Sequence, residues 1–160
     1  MTLPANPVDM PRPAVDAILA LLDDADGDRR DVLDLVENRL LRLEHRHGMV
    51  FPTHVDIAPG VVVRRLDLPA GVLLAGAVHR HPHFCTMGGD ITVWDQEGCR
   101  RLTGMQTFRS PAGIKRVGLT HAPTTWVTYH RIPDDMSDNA EIEEYLLEDC
   151  SKLQSRRHAR

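Results

Sequence analysis

The chain has 160 residues, of which 42% are apolar, and a formal net charge of −4, so its size and composition suit one globular domain with its own core. The mildly acidic balance argues against a nucleic-acid partner, which would favour a concentrated basic surface. No apolar run approaches the roughly 18 residues that a membrane helix needs, which argues against a membrane partner.

The start of the chain, residues 1–13, is rich in proline and lacks the charged and then apolar pattern of a signal peptide. We therefore expect a flexible N-terminus on a cytoplasmic protein. The three cysteines are widely spaced and form no CxxC pair, which favours reduced thiols.

Residues 14–48 form a predicted helical extension. Apolar side chains recur there on two helix faces, the first with Val15, Ile18, Leu19 and Leu22 and the second with Val32, Leu33, Val36, Leu40 and Leu43. The acidic segment between them, residues 23–28, consists of turn-forming residues. A calcium loop with Gly27 at its sixth position would place leucines at its first and twelfth positions, so a turn is the better interpretation.

Between residues 49 and 132 the helical period gives way to short β-prone runs separated by turn signals, the pattern of a small antiparallel β-barrel. The predicted strands are residues 61–66, 72–78, 91–94, 106–108, 115–118 and 125–130, and the predicted turns are residues 69–71, 88–90, 96–98, 110–113 and 122–124.

Residues 133–160 return to a helix followed by a tail. Ser137 or Asp138 is the predicted N-cap, and Glu141 lies three residues after Asp138 as a capping-box partner. We expect the helices at both ends of the chain to pack on the barrel or on a second subunit.

Three histidines alternate at the end of an apolar β-prone run: His79, His81 and His83. Alternate side chains of an extended strand share a face and lie roughly 6.6 Å apart, close enough for two imidazoles to bind one ion. The pattern therefore predicts a metal site in a β-fold. The alternative is a solvated strand end that carries histidines by chance.

Over roughly residues 56–131 the chain resembles the cupins, jelly-roll barrels that bind one metal ion between two sheets. The first cupin motif has a glycine, His-x-His, a glutamate and a later glycine, an outline that suits Gly71, His79, His81 and Gly89. The glutamate is absent, and His83 is the candidate that replaces it as a ligand. The second motif, Pro-x-Gly and then a histidine, is matched by residues 111–113, but Arg116 stands where the histidine belongs.

The stretch from His79 to His130 also looks like small uncharacterised cupin-like proteins found in phages and prophages, especially at residues 108–118 and 126–130. Together with the helical patterns, this resemblance implies a mainly β fold. We expect a cupin-like double-stranded β-helix with two helices before it and one after it.

Strand geometry ranks the first candidate ligands. His79 and His83 lie four residues apart, so they share a face if the strand continues between them. Pro82 lies in this interval, where it can bend the strand and turn His81 elsewhere. His79 is therefore the first choice as a ligand.

Two histidines compete as the remaining ligand. His130 shares a face of the last predicted strand with Trp126 and Thr128, so if His130 faces inward, Trp126 lies beside it as an aromatic wall. His121 precedes Ala122 and Pro123, where a surface turn is an equally good interpretation. The predicted metal ligands are His79, His81, His83, His121 and His130.

Other residues are candidates for the wall of a pocket, namely Cys85, Arg116, Trp126 and Thr128. Cys85 could reach the metal as a thiolate, or it could belong to the core. Arg116 suits a carboxylate or phosphate through its planar fork, or it could lie on an outer strand face. Of the pair Arg64 and Arg65 at most one can face inward, and we expect both to face solvent.

Three imidazoles with open coordination positions suit zinc, iron, manganese, nickel or copper. The best enzymatic hypothesis is metal-assisted chemistry on a small molecule, while the sequence leaves open whether the protein is an enzyme. The alternative is a ligand-binding or phage-derived assembly module without catalysis. A homodimer is the expected assembly, since symmetric dimers are the commonest oligomers.

Overall fold

The computed structural model of the chain describes residues 12–24, 29–47, 51 and 53–153. The predicted proline-rich start up to residue 11, the turn residues 25–28, the side chain of Leu43 and the tail from residue 154 lie outside the described residues. No helix in the described ranges is long and apolar enough to cross a membrane.

Two helices precede the sheet, α1 over Arg12–Asp23 and α2 over Arg29–His47. Both predicted apolar faces are confirmed, since they pack together and against the sheet in one buried cluster of Ile18, Leu22, Leu33, Val36, Leu40, Leu73, Trp94 and Val117. Helix α2 is also held by charge, because the buried Glu37 accepts hydrogen bonds from Lys115 and Lys152. The helices therefore cover one end of the sheet.

The sheet has seven strands within the described residues: β1 (Thr53–Ala58), β2 (Val61–Leu68), β3 (Leu73–Ala75), β4 (His83–Asp95), β5 (Gly98–Ser110), β6 (Val117–Thr120) and β7 (Thr124–Arg131). The strand order is β1-β2-β7-β4-β6-β3, with β5 paired to β4. All of these pairs are antiparallel, as the sequence predicted.

Strand β4 is the long central strand of this curled sheet. It pairs with β5 along its full length, while its first part pairs with β7 and its second part with β6. The change of partner falls at Gly89, whose φ of 140° disfavours other residues and whose Cβ, if present, would meet Thr124 Oγ1 at 2.5 Å. The predicted turn at residues 88–90 is therefore wrong, because the glycines serve a close approach within a continuous strand.

Helix α3 follows the sheet over Asn139–Leu146. The Oδ1 of its N-cap, Asp138, accepts a hydrogen bond from the Glu141 N–H at 2.9 Å, which confirms the predicted cap. Its apolar side packs on the sheet in a second buried cluster of Val62, Ile132, Ile142, Leu146, Leu147 and Cys150.

The residues that end α3 continue as a backbone pairing with the segment before β4. The Arg80 N–H donates to the Leu146 carbonyl at 2.7 Å, and the Glu148 N–H donates to the Val78 carbonyl at 3.0 Å. His79 lies opposite Leu147 in this pairing. The fold is thus mainly β, with two helices before a curled antiparallel sheet and one after it, consistent with a cupin-like double-stranded β-helix.

Candidate metal centre

Three histidines meet on the concave side of the sheet from three places in the chain. His83 begins β4 and His130 lies near the end of β7. Phe84 pairs with Tyr129 in the register of these strands, so His83 and His130 are neighbours that point to the opposite side from that pair. The pairing with Leu147 places His79 beside them.

The three imidazoles form a compact triangle. The ring centroids of His79 and His83 are 4.3 Å apart, those of His83 and His130 are 4.4 Å apart, and those of His79 and His130 are 4.7 Å apart. One ring nitrogen from each residue lies within 4.8 Å of the other two. Three nitrogen donors are thus gathered around one point.

Their hydrogen bonds leave nitrogen lone pairs available. His83 Nδ1 lies 3.2 Å from the His81 carbonyl oxygen, and because that oxygen only accepts, Nδ1 carries the proton and Nε2 keeps its lone pair. Neither ring nitrogen of His130 has a hydrogen-bond partner among the described residues, although both are buried. A buried polar atom without a partner is costly, and a metal ion at this point would satisfy it, so the donor set fits a transition metal.

Burial keeps these rings neutral. The pKa of His79 is lowered to about 2 and that of His130 to about 3, first by burial and then by the neighbouring histidines and Arg64. The pKa of His83 is also lowered, first by burial. Metal ligation requires the neutral imidazole, so the environment favours the ligating form.

The other two predicted ligands lie outside this group. The His81 ring packs on Tyr145 at a centroid distance of 4.8 Å. His121 is exposed, and its Nε2 lies 2.7 Å from Thr92 Oγ1. The extended strand begins only at His83, so the alternation that would have turned His81 to the same side does not apply.

His79 and His83 line a cavity of about 810 Å³ whose lining also includes Trp126 and Thr128. Arg116 also lines it, with Nη1 donating to Ser110 Oγ at 2.8 Å and the guanidinium carbon 5.9 Å from the centre of the Phe108 ring. This inward position corrects the alternative of an outer strand face. Cys85 is fully buried, and burial raises the pKa of its thiol to about 11.

The expectation that Arg64 faces solvent is wrong, because Arg64 lines this cavity. Glu143 also lines it and was not among the predicted residues. Arg64 Nη2 donates to Glu143 Oε1 at 3.2 Å, and the Glu143 side chain is only 4% exposed. The inward direction of Arg64 follows from its parity with the buried Val62. Glu143 has no such signal, because the packing of α3 on the sheet brings it here.

No family model matches the chain, and no curated protein matches it. Solved structures similar to it include a cupin domain from Bordetella pertussis, with 17% identity, a TM-score of 0.42, and coverage of 51% of this chain and 93% of that one. KdgF from a Halomonas species has 16% identity and a TM-score of 0.44, covering 54% of this chain and 85% of that one.

A third similar structure is an uncharacterised conserved protein with a double-stranded β-helix domain from Klebsiella pneumoniae. It has 16% identity and a TM-score of 0.45, and the match covers 54% of this chain and 75% of that one. These matches extend over about half of this chain, so its function has to be sought in its own side chains.

Proposed function

We propose that the protein binds one divalent transition metal through His79, His83 and His130. The observation that supports this is the buried triangle of imidazoles, in which one nitrogen from each ring lies within 4.8 Å of the others and both His130 nitrogens lack a partner among the described residues. Zinc, iron, manganese, nickel and copper all suit imidazole donors.

We further propose that the metal serves chemistry on a small molecule held in the cavity. With three protein ligands, a bound ion keeps open positions at which it can polarise a carbonyl or activate water. Trp126 supplies an apolar wall beside the site, and the Thr128 hydroxyl offers a donor and an acceptor there. The low pKa values of His79 and His130 keep both rings from protonating in competition with the ion at neutral pH.

The first test is elemental analysis of untagged protein purified without added metal, compared with a His79→Ala variant. We expect close to one transition metal per chain in the wild type and a large loss in the variant, because removal of one of three ligands leaves two. His121→Ala is the matched control, since His121 is exposed and bonded to Thr92.

Two results would contradict the proposal. One is a His79→Ala protein that keeps the full metal content. The other is wild-type protein that is purified without metal and binds none of the five ions on titration. The second result would favour a ligand-binding or assembly module without a metal.

A further inference from the structure

Two guanidinium groups flank the histidines inside the same cavity. Arg64 lies on β2 opposite Thr128 of β7, and Arg116 lies just before β6. Their side chains are only 12% and 16% exposed. Both arginines line the cavity together with His79 and His83, and Arg64 lies on the same side of the sheet as His130 because Val62, two positions before it, pairs with His130.

Arg116 donates from Nη1 to the Ser110 hydroxyl at 2.8 Å. Each of the two guanidiniums also keeps a buried nitrogen without a hydrogen-bond partner among the described residues, Nη1 in Arg64 and Nε in Arg116. Buried donors of this kind are costly when unpaired. The site therefore has more cationic donors than its own acceptors satisfy.

The carboxylates near the three histidines are shared unevenly among the arginines. Arg64 is paired with Glu143. Arg116 has only a distant carboxylate, Asp95 at 3.8 Å, and the same Asp95 oxygen accepts a hydrogen bond from Arg100 at 2.8 Å. Arg100 also lies 3.7 Å from Glu97, so three guanidiniums lie beside three carboxylates, and Arg116 has the longest of these contacts. A divalent ion would add two further positive charges.

Lys115 also lines the cavity, but its charged group has a hydrogen-bond partner. Its ammonium group is paired with Glu37, which is itself buried. Among the described residues that line the cavity, the buried donors without a hydrogen-bond partner thus belong to the two arginines. An arginine fork is suited to the two oxygens of a carboxylate or the oxygens of a phosphate.

We propose that the cavity binds a small organic oxyanion, with its carboxylate or phosphate group held by Arg64 and Arg116. The apolar part of the ligand would lie along Trp126, whose ring meets Phe108 edge to face at 5.6 Å. That this oxyanion is the substrate of the metal centre rests on the proposed function above. The binding of the anion itself does not depend on the metal.

The test is calorimetric titration of metal-free wild-type protein with three ligands that share a phenyl ring: benzoate, phenyl phosphate and the neutral benzyl alcohol. We expect at least one anion to bind about tenfold or more tightly than benzyl alcohol, because hydrogen bonds to charged groups are the stronger ones. Preference for benzoate identifies a carboxylate ligand, and preference for phenyl phosphate identifies a phosphate. Equal affinity for all three, or binding of none, would overturn the proposal.

Two variants locate the anion. Arg116→Gln should weaken the binding of the preferred anion by about tenfold and leave the affinity for benzyl alcohol unchanged. Arg116→Lys keeps the charge without the fork, so it should recover part of the loss and also serves if the first variant does not fold. Arg101→Gln is the matched control, because Arg101 is exposed and paired with Asp90 on the far part of β4.

Wild-type affinity for the anion in both Arg116 variants would overturn the assignment. The same metal-free protein is titrated with zinc in parallel. Anion binding without zinc binding would contradict only the proposed metal function. Zinc binding without a preference for anions would contradict only the proposal that the cavity binds an oxyanion.

Discussion

Cys85 is a buried thiol close in sequence to His83, one of the proposed metal ligands. It lies two positions after His83 on β4 and so shares its side of the strand. Yet its side chain is fully buried, and burial raises the pKa of the thiol to about 11, although Arg116 acts in the opposite direction. To bind an ion as a thiolate, this thiol would have to lose a proton that burial holds, so we expect Cys85 to stay outside the ligand set.

This residue leads to a spectroscopic prediction. Wild-type protein loaded with cobalt should lack the intense near-ultraviolet band of a cobalt–thiolate bond, because the three proposed ligands are imidazoles. The Cys85→Ser variant should bind cobalt with the same stoichiometry and give the same spectrum. A thiolate band in the wild type that disappears in the variant would make Cys85 a ligand.

At the scale of the elements, a buried ion pair fixes helix α2 to the sheet. The carboxylate of Glu37 bonds to Lys115, just before β6, and to Lys152 at 2.8 Å. The side chains of Lys115 and Glu37 are 3% and 9% exposed. Breaking such a pair on one side leaves a buried charge without its partner.

We therefore expect Glu37→Gln to lower the free energy of unfolding by about 3 kcal/mol, as measured by urea denaturation. Asp16→Asn is the control, since the pair between Arg12 and Asp16 is on the surface and contributes little. An equal, small effect of both substitutions would mean that the pair does not hold the helix.

The sequence predicted most elements, and the failures have physical causes. Apolar residues recur at every third or fourth position of α1 and α2, so both apolar faces could be predicted from the sequence. Strand β1 was not predicted, because five of its six residues are exposed and no alternation marks it. The glycines at 88 and 89 have the composition of a turn, and only the packing against Thr124 shows that the strand continues.

The same division applies to the site. His79, His83 and His130 were among five predicted ligands, but alternation along a strand places only His130, on β7. His79 lies before β4 and reaches the group through its pairing with Leu147. His81 and His121 could be separated from them only by the bend before β4 and the contact with Thr92. Glu143 comes from a helix whose position on the sheet is a tertiary property, so no pattern near it in the sequence indicated a role.

At the scale of the whole molecule, the proposed metal would join parts of the chain that are distant in sequence. His79 precedes β4 and His130 belongs to β7, so an ion bound by both would link the segment before the central strand to the last strand of the sheet. A ligand that binds only the folded state stabilises it by mass action. Metal content should therefore be visible in the stability of the entire fold.

We expect zinc at about 100 times its dissociation constant to raise the free energy of unfolding by about 2.7 kcal/mol over chelator-treated protein, as measured by urea denaturation. The gain should be absent in His79→Ala. If zinc stabilises both proteins equally, the ion acts at another place on the chain.

The pairing of Leu146–Glu148 with the segment around His79 also bears on how the protein is made. Arg80 Nε donates to the Leu147 carbonyl at 2.6 Å across 67 positions of sequence. A ribosome synthesises the histidines well before it synthesises this partner segment. A nascent chain therefore contains all three histidines before the segment Leu146–Glu148 that pairs beside His79 has been made. The complete site forms only after Glu148 has left the ribosome.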